Sequence, residues 1–415
     1  MLAGIAVALA ATFGPAPSSS VGGGVLLVDI DDVGHGLLAE TPTPTLDWIA
    51  AHGRTFTRFL ASPSCSPTRA MMMTGAYPSH PDLLLGQIVG SSQTYQLRTA
   101  PLELLPRVVQ DAGWTTAKIG KWHLAPRIQT QHPNACGWQH YAGALTNVQG
   151  FGESYTSYTK VVNGVGTLTT GRYITTDETD DAIACVQAGI DLISVSYHAP
   201  HQPWHVPPAH LHSIADTTGD RDKVRAMLQA CDRELGRLVR VALSSGYTIL
   251  VFADNGTAAG IGGQKGTVLD GGVIVPFFAV GPGIAPGVED GLVSVVDLYD
   301  TTLDLFGIDA SSATRGPHSS SLVPALQGRP LERRFGYAER FQGLGQDPRT
   351  STGWWDRAVR GTRFKLRSHR TATSLEITLH DMIADPDESV DLLQAPLSPE
   401  ADDAYRLFLD VLARL

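Results

Sequence analysis

The chain has 415 residues, more than one average domain requires and enough to bury a large core. Its formal net charge is −10 and it has no long basic run, which argues against a nucleic-acid partner but leaves room for a local positive site. Four cysteines, Cys65, Cys136, Cys185 and Cys231, exclude a disulfide scaffold and a paired CxxC zinc pattern, and at most one internal bridge could form among the last three.

Met1 to Phe13 is an apolar run too short to cross a bilayer, so no membrane span is expected there. It resembles a signal-peptide core followed by the loose linker Gly14 to Gly24, although no Lys or Arg precedes it. Residues 1–24 are expected to be a signal peptide and linker, and the protein to be secreted or periplasmic.

Val25 to Ile30 reads as a buried strand ended by Asp31-Asp32-Val33-Gly34. Two adjacent carboxylates where a strand stops are costly to bury unless a cation joins them. Asp29 shares a strand face with Asp31, either supporting the same site from behind or as a paired core acid. Thr43 to Ala50 begins a helix stopped by Gly53, with Phe56 and Phe59 following on a strand.

The next stretch is Pro63-Ser64-Cys65-Ser66-Pro67-Thr68-Arg69-Ala70-Met71-Met72-Met73-Thr74-Gly75. Pro67 suits the first turn of a helix, which puts Cys65 at the helix start, where unpaired N–H groups lower a thiol pKa and attract an anion. Arg69, one turn on, can point into the same space. Cys65-Ser66-Pro67-Thr68-Arg69, two free positions, two large apolar residues, Thr74 and Gly75 resemble the signature of the type I sulfatases, in which the Cys is converted to formylglycine. The resemblance implies an alkaline-phosphatase-like α/β/α sandwich with a small C-terminal α+β subdomain, and an arylsulfatase-like sulfuric ester hydrolase. It also implies a formylglycine-generating enzyme as partner, and makes Asp31 and Asp32 ligands of one divalent cation.

Thr115 to Ile119 reads as a strand ended by Gly120-Lys121-Trp122-His123; the family carries such a segment here, with Lys121 and His123 contacting sulfate and aldehyde hydrate. Gly143 to Thr176 is rich in Gly, Thr, Ser and Tyr, has weak periodicity, and is expected at the mouth of the site. Asp191 to Tyr197 is a further strand running into His198-Ala199-Pro200-His201-Gln202-Pro203-Trp204-His205. The prolines suggest an extended, open loop rather than a convergent zinc site. The family's Ala-Pro-His-x-Pro selects His201 for substrate contact and leaves His198 and His205 as loop residues.

Met227 to Leu243 reads as a helix and Tyr247 to Ala253 as a strand ending at Asp254-Asn255-Gly256-Thr257. By resemblance Asp254 and Asn255 complete the metal site together with Asp31, Asp32 and the group made from Cys65, so the Asn255 sequon is discounted as a glycan acceptor. Gln264 to Pro276 resembles the family's Lys-Gly-Thr and Gly-Gly-Val block, making Lys265 a sulfate contact. Asp270 and Ile274 stand where many members have Glu and Arg, a departure outside the core site. Asp297 to Leu303 reads as the last main-domain helix. Short antiparallel strands are expected at 335–338, 358–366 and 375–379, then a C-terminal helix. The domain boundary is placed near 330, giving a catalytic domain of residues 25–330 and a subdomain of residues 331–415.

Asp31 and Asp32, Lys121 and His123, His201, and Asp254 and Asn255 all fall just past the carboxyl ends of predicted strands, the edge where open α/β sheets carry their sites. Their oxygen ligands suit Ca²⁺, with Mg²⁺ as the other hard ion, better than zinc. With the ion counted, Arg69, Lys121 and Lys265 leave the pocket net positive, fit for an anion. The implied substrate is a small-molecule or saccharide sulfate ester, cleaved through a covalent sulfo-enzyme intermediate with Asp254 as base. His201 or Lys265 protonates the leaving oxygen, His123 assists the expulsion of sulfate, and Arg69 orients the nucleophile. A phosphonate or phosphate ester hydrolase of the same superfamily is the alternative.

Overall fold

Apolar runs of five to seven residues that stop at Gly, Asp or His cannot bury themselves as helices; they line up side by side as the centre of a sheet. The computed structural model describes residues 22–90, 95–310, 315–331 and 333–415; the apolar Met1–Phe13 run lies outside them. In chain order the strands of the main sheet are β1 (Gly24–Ile30), β2 (Arg54–Leu60), β3 (Thr116–Gly120), β4 (His140–Gly143), β5 (Ser157–Val162), β6 (Val165–Thr170), β7 (Leu192–Tyr197), β8 (Tyr247–Ala253), β9 (Ile274–Val280) and β10 (Gly287–Ser294). Their order across the sheet is β10-β2-β9-β8-β1-β7-β3-β4-β5-β6. The central four, β8, β1, β7 and β3, are mutually parallel and buried along their whole length. β9 runs antiparallel to both β2 and β8, and β5 and β6 form an antiparallel hairpin at the far edge.

Helices sandwich this sheet. Ile174–Gln187 packs on Asp220–Ser244, which in turn meets Pro44–His52 and β8. Cys65–Thr74 packs with Leu105–Asp111 and Asp297–Leu305. The Asp220–Ser244 helix begins seven residues earlier than the apolar periodicity from Met227 suggests, because its first turn is the polar Asp220-Arg221-Asp222-Lys223. Asp220 and Asp222 there complement the positive end of the helix dipole. No described helix is long and apolar enough to cross a membrane.

The C-terminal sheet is an antiparallel meander of β11 (Gly336–Phe341), β12 (Trp355–Arg360), β13 (Phe364–Arg370) and β14 (Leu375–Asp381). The single strand expected at 358–366 is two: the chain reverses at Gly361, whose N–H donates to Phe364 O at 2.8 Å. The Pro399–Arg414 helix packs on β12 and β13, starting at Ser398, whose side chain accepts the Ala401 N–H at 3.3 Å. It buries Ala401, Phe408, Val411 and Leu412; losing the Phe408 ring would cost about 3–5 kcal/mol, the range for a buried aromatic. A large mixed sheet between helices, with a small antiparallel sheet following it, is the architecture expected of the alkaline-phosphatase-like α/β fold. All four cysteines are free thiols and buried.

Candidate active site

Register decides which residues meet. Ile30 pairs with both Tyr197 and Ala253, and Gly120 with Ser196, so four adjacent parallel strands end level. The residues that follow, Asp31, Lys121, His198 and Asp254, share one edge. Backbone bonds pin the exits: Asp31 N–H donates to Ala199 O at 3.3 Å, Asp254 N–H to Ile30 O at 3.2 Å, Lys121 N–H to Ser196 O at 2.9 Å and His123 N–H to Leu145 O at 2.9 Å. Gly120 has φ +85°, and a Cβ there would lie 2.1 Å from Ser196 O, so only glycine lets the chain turn out of β3 to aim Lys121. Asp32 and His123 also hold left-handed backbone, with φ of 62° and 58°. Such strain persists only where the surroundings over-determine it.

The Cys65–Thr74 helix lies wholly inside the protein. Ser66 Oγ donates to His123 O at 2.7 Å and accepts Val89 N–H at 3.0 Å, while Ser62 N–H donates to Thr68 Oγ1 at 3.0 Å. These bonds fix Cys65 Sγ 3.2 Å from His123 Nδ1. The helix start was expected to lower the thiol pKa; the structure corrects this. Burial pushes the Cys65 thiol up, and Lys121 and Lys265 only partly offset it, so the side chain is a poorly ionised thiol rather than a poised thiolate.

Arg69 is buried beneath. Its Nη2 donates to Asp254 Oδ2 at 2.9 Å and lies 2.8 Å from Asp29 Oδ2, and its Nη1 donates to Lys121 O at 3.2 Å. Burial works against the guanidinium charge, but Asp29, Asp254 and Asp31 outweigh it and hold the pKa above the ordinary arginine value. Lys121 Nζ donates to Asp31 and Lys265 Nζ to Asp32. Burial likewise opposes the Lys265 charge, and Asp32 with Cys65 and Asp31 more than restores it.

The acids are crowded. Ligand atoms of Asp31, Cys65 and Asp254 lie within 4.8 Å of one another, as do those of Asp31, Asp32 and His201. Burial and the neighbouring Asp31 push the Asp254 carboxyl up to about 7. Asp31 goes the other way: burial disfavours its charge, yet Lys121, His201, Lys265 and Arg69 hold it well below the usual range. Two buried acceptors, Asp31 Oδ1 and Asn255 Oδ1, receive no hydrogen bond; Asn255 Nδ2 instead donates to Asp32 Oδ1 at 2.7 Å. Unpaired oxygens converging beside packed carboxylates are what a hard divalent cation requires, so the residues present fit Ca²⁺ or Mg²⁺.

The histidine loop is packed, not open. His198 is buried, with Nδ1 on Glu178 and Nε2 3.2 Å from Thr146 O. His205 Nε2 meets Tyr173 Oη at 3.2 Å. Neither belongs to the cation cluster among the described residues. Tyr155 Oη donates to His198 O at 2.7 Å and His201 O at 2.5 Å, clamping the loop so that His201 faces Asp31 and Asp32. Burial, then Lys121, lowers the His201 pKa to about 4; burial, Lys121 and Arg69 keep His123 far below the ordinary histidine value. Both imidazoles are therefore neutral near pH 7. Sequence patterns gave no sign of Tyr155, Glu178 or Lys118, because each acts through a partner distant in the chain.

A cavity of about 530 Å³ opens over these groups, lined by Asp32, His123, His201 and Lys265 and by Asn147, Gln149, Phe151, Gln202 and Trp204. Thr146, Asn147, Gln149 and Phe151 thus line the mouth, as expected of the Gly143–Thr176 stretch, but Ser157–Val162 and Val165–Thr170 of that stretch are instead β5 and β6 at the far edge of the sheet. Arg127 sits 5.2 Å over the Phe151 ring.

A pocket at the carboxyl edge of an alkaline-phosphatase-like sheet that sets Arg69, Lys121 and Lys265 against an acid cluster fit for a divalent ion is the arrangement of a hydrolase of anionic esters. The family model for Sulfatase matches residues 25–308, and this chain belongs to the sulfatase family. It is 30% identical over 382 residues to an N-acetylgalactosamine-6-sulfatase of Sus scrofa, covering 80% of this chain and 70% of that one. Among solved structures it resembles Ps i-CgsB in complex with a neocarrahexaose, at TM-score 0.75 and 22% identity over 90% of this chain and 89% of that one. It also resembles BT4656 in complex with its substrate D-glucosamine-2-N,6-O-disulfate, at TM-score 0.73 and 19% identity over 95% and 97%. The chain is a sulfuric ester hydrolase.

Proposed function

We propose that the reaction runs through formylglycine made from Cys65, with Asp31, Asp32, Asp254, Asn255 and the Cys65-derived group holding Ca²⁺ or Mg²⁺. The observation that carries this reading is the placement of Cys65 Sγ among hard oxygen donors. It lies within 4.8 Å of carboxylate oxygens of Asp31 and Asp254, where a protonated thiol is a poor nucleophile and a poor ligand. A hydrated aldehyde there would supply two hydroxyls, one to attack sulfur and one to expel sulfate from the covalent intermediate. The cation would add positive charge at the oxygens of the sulfate group.

The chain's own residues do the rest. Lys121 and Lys265 meet the charge that develops on the sulfate oxygens. Asp254, with its carboxyl near neutrality, takes the proton of the attacking hydroxyl while Arg69 holds its Oδ2. Neutral His123 accepts the second hydroxyl's proton at Nδ1, the atom facing the Cys65 side chain. Lys265, the group still charged near pH 7, delivers a proton to the leaving oxygen, and neutral His201 holds that oxygen in place.

The remaining wall supports a saccharide or other hydroxyl-bearing ring as leaving group. Trp204 offers an aromatic face, Asn147, Gln149 and Gln202 offer amides, and the buried Asn147 Oδ1 receives no hydrogen bond. Outside Asp32, His123, His201 and Lys265, the described lining has no ionisable side chain, which favours a neutral ring bearing one sulfate. The two similar structures hold saccharides, which supports a sugar as leaving group; the glucosamine in one of them bears two sulfates, so the single sulfate is argued from this chain's lining alone. We further propose export through the Met1–Phe13 leader and a subdomain boundary near 330.

The test is a substrate panel on protein produced with a formylglycine-generating enzyme. The highest kcat/KM is expected for a sulfate monoester of a neutral sugar or aryl alcohol. A higher value for every phosphate or phosphonate ester contradicts the reading.

A further inference from the structure

Under the site, on one face of three adjacent central strands, lies a polar ridge that the proposed reaction does not use. Parallel register sets Asp29 of β1 beside Ser196 of β7, and Lys118 of β3 beside Ser194 of β7. With period two, all four side chains share that face. All are buried. Lys118 Nζ donates to Ser194 Oγ at 3.1 Å and to Ser196 Oγ, and lies 3.8 Å from Asp29 Oδ1. Ser196 Oγ in turn donates to Asp29 Oδ1. The opposite oxygen, Asp29 Oδ2, is 2.8 Å from Arg69 Nη2, the nitrogen that donates to Asp254 Oδ2 at 2.9 Å.

We propose that Asp29, oriented by Ser196 and Lys118, is a positioning residue for the reaction: it anchors Arg69 and thereby the Asp254 carboxylate. Two facts about the ridge point this way. Its single carboxylate is divided, one oxygen taken by the strand neighbours and the other turned to Arg69, so the guanidinium is held from below as well as from Asp254. Moreover Asp29 is the nearest of the three carboxylates around Arg69 Nη2, at 2.8 Å against 2.9 Å for Asp254 and 3.8 Å for Asp31. The Lys118 ammonium, which burial pulls down to about 8 with Asp29 opposing, fixes which oxygen faces which partner. Asp29 and Lys118 cancel in charge, so the ridge leaves the net charge of the pocket unchanged.

A purely structural explanation would be that Asp29 exists only to neutralise buried Lys118. The two are separated by removing both charges together, since an apolar pair of similar size in place of a buried ion pair is often tolerated. The inference rests on Arg69 and Asp254 belonging to the reacting site, so Arg69→Ala runs in parallel. All rates are normalised to the formylglycine content of each preparation. The Asp29→Leu/Lys118→Met double variant is expected to melt close to wild type, with kcat down about 10²-fold, the scale of a misplaced reacting group, and KM within about 3-fold. Asp29→Glu should recover part of kcat. Ser196→Ala, which keeps every charge, is expected to melt as wild type with kcat down about 3- to 10-fold, and it decides the matter if the double variant does not fold. A double variant with wild-type kcat, or Ser196→Ala with unchanged kcat, overturns the proposal while Arg69→Ala is inactive. Wild-type activity in Arg69→Ala sinks the reading of the site and this inference with it.

Discussion

Two buried charge clusters in this protein are built from the same residue types and do opposite things. One is the candidate active site. The other joins the two sheets: Lys365 Nζ of β13 donates to Asp270 Oδ1 at 2.8 Å and to Glu388 Oε1 at 2.7 Å. Arg360 Nε donates to Asp270 Oδ2 at 3.1 Å, and Arg367 lies 3.4 Å from Glu388 Oε2. At this junction each acid faces cations directly. Burial would raise the Asp270 pKa, but Lys365 and Arg360 carry it below the ordinary value. At the site, acids face one another, Asp254 is pushed up to about 7, and Asp31 Oδ1 and Asn255 Oδ1 have no donor. At the junction Glu388 Oε2 also receives no hydrogen bond, but Arg367 lies 3.4 Å from it, so every acid there already has a cation beside each oxygen. The site is a cluster that an added cation would stabilise, and its misfit is the physical sign of function.

The comparison breaks most severely if the site needs no ion. Chelation of the active enzyme, or Asp31→Asn, is expected to remove essentially all sulfatase activity, with Ca²⁺ or Mg²⁺ restoring the chelated protein. Full turnover by protein shown metal-free by elemental analysis contradicts it. A step smaller, Lys121→Ala or Lys265→Ala should each lower kcat by about 10²-fold, the scale for losing one preorganised charge partner. His198→Ala, which removes contacts to Glu178 and to Thr146 O outside the cation cluster, should cost far less; the reverse ranking would reassign the histidine loop.

The junction answers in stability instead. Lys365→Met leaves Asp270 and Glu388 short of a cation in a buried place and should cost about 3 kcal/mol, the low end for breaking a buried pair. With the converted fraction matched, kcat at room temperature should stay within about 2-fold. A large loss of kcat without loss of stability would show that the junction takes part in the reaction.

The smallest effect separates the clusters by the sign of their pH dependence. In chelated protein Asp254 titrates near 7 when folded and near 3.8 when unfolded. Its contribution to stability is therefore full below about pH 4 and lost as pH rises through 7. Asp270 has the opposite sign: its contribution is present above its unfolded value of 3.8 and lost only as pH falls below it. Chelated wild type should thus lose about 2–4 °C in Tm between pH 5 and 8 relative to protein loaded with Ca²⁺, the shift that about 2–3 kcal/mol of linkage produces in a chain of this length. Chelated Asp254→Asn should lack that slope. Equal slopes in both would remove Asp254 as the source.

Much of this was legible in the sequence because the site residues sit at strand ends and helix starts, where the chain itself announces the break. Asp31-Asp32, Lys121 to His123 and Asp254-Asn255 follow apolar runs, and parallel pairing brings those ends together without further information. Asp29 was only half legible: its face could be read, its partners Lys118, Ser196 and Arg69 could not, since they come from three other elements. The thiol of Cys65 was misjudged because a helix start says nothing of burial, which decides its pKa here. Asp270 looked like a departure from a family pattern and proves to be the tie to Lys365 and Arg360. The turn at Gly361 carries no strong hairpin pair, so two strands read as one.

Conversion of Cys65 is the claim on which the rest depends. The measurement is to prepare protein with varying amounts of formylglycine-generating enzyme, quantify by mass the Cys65 peptide lightened from CH₂SH to CHO, and plot sulfatase kcat against the converted fraction. A straight line through the origin, with Cys65→Ala inactive, is the predicted result. Full activity from protein whose Cys65 peptide is entirely unmodified thiol would contradict the account.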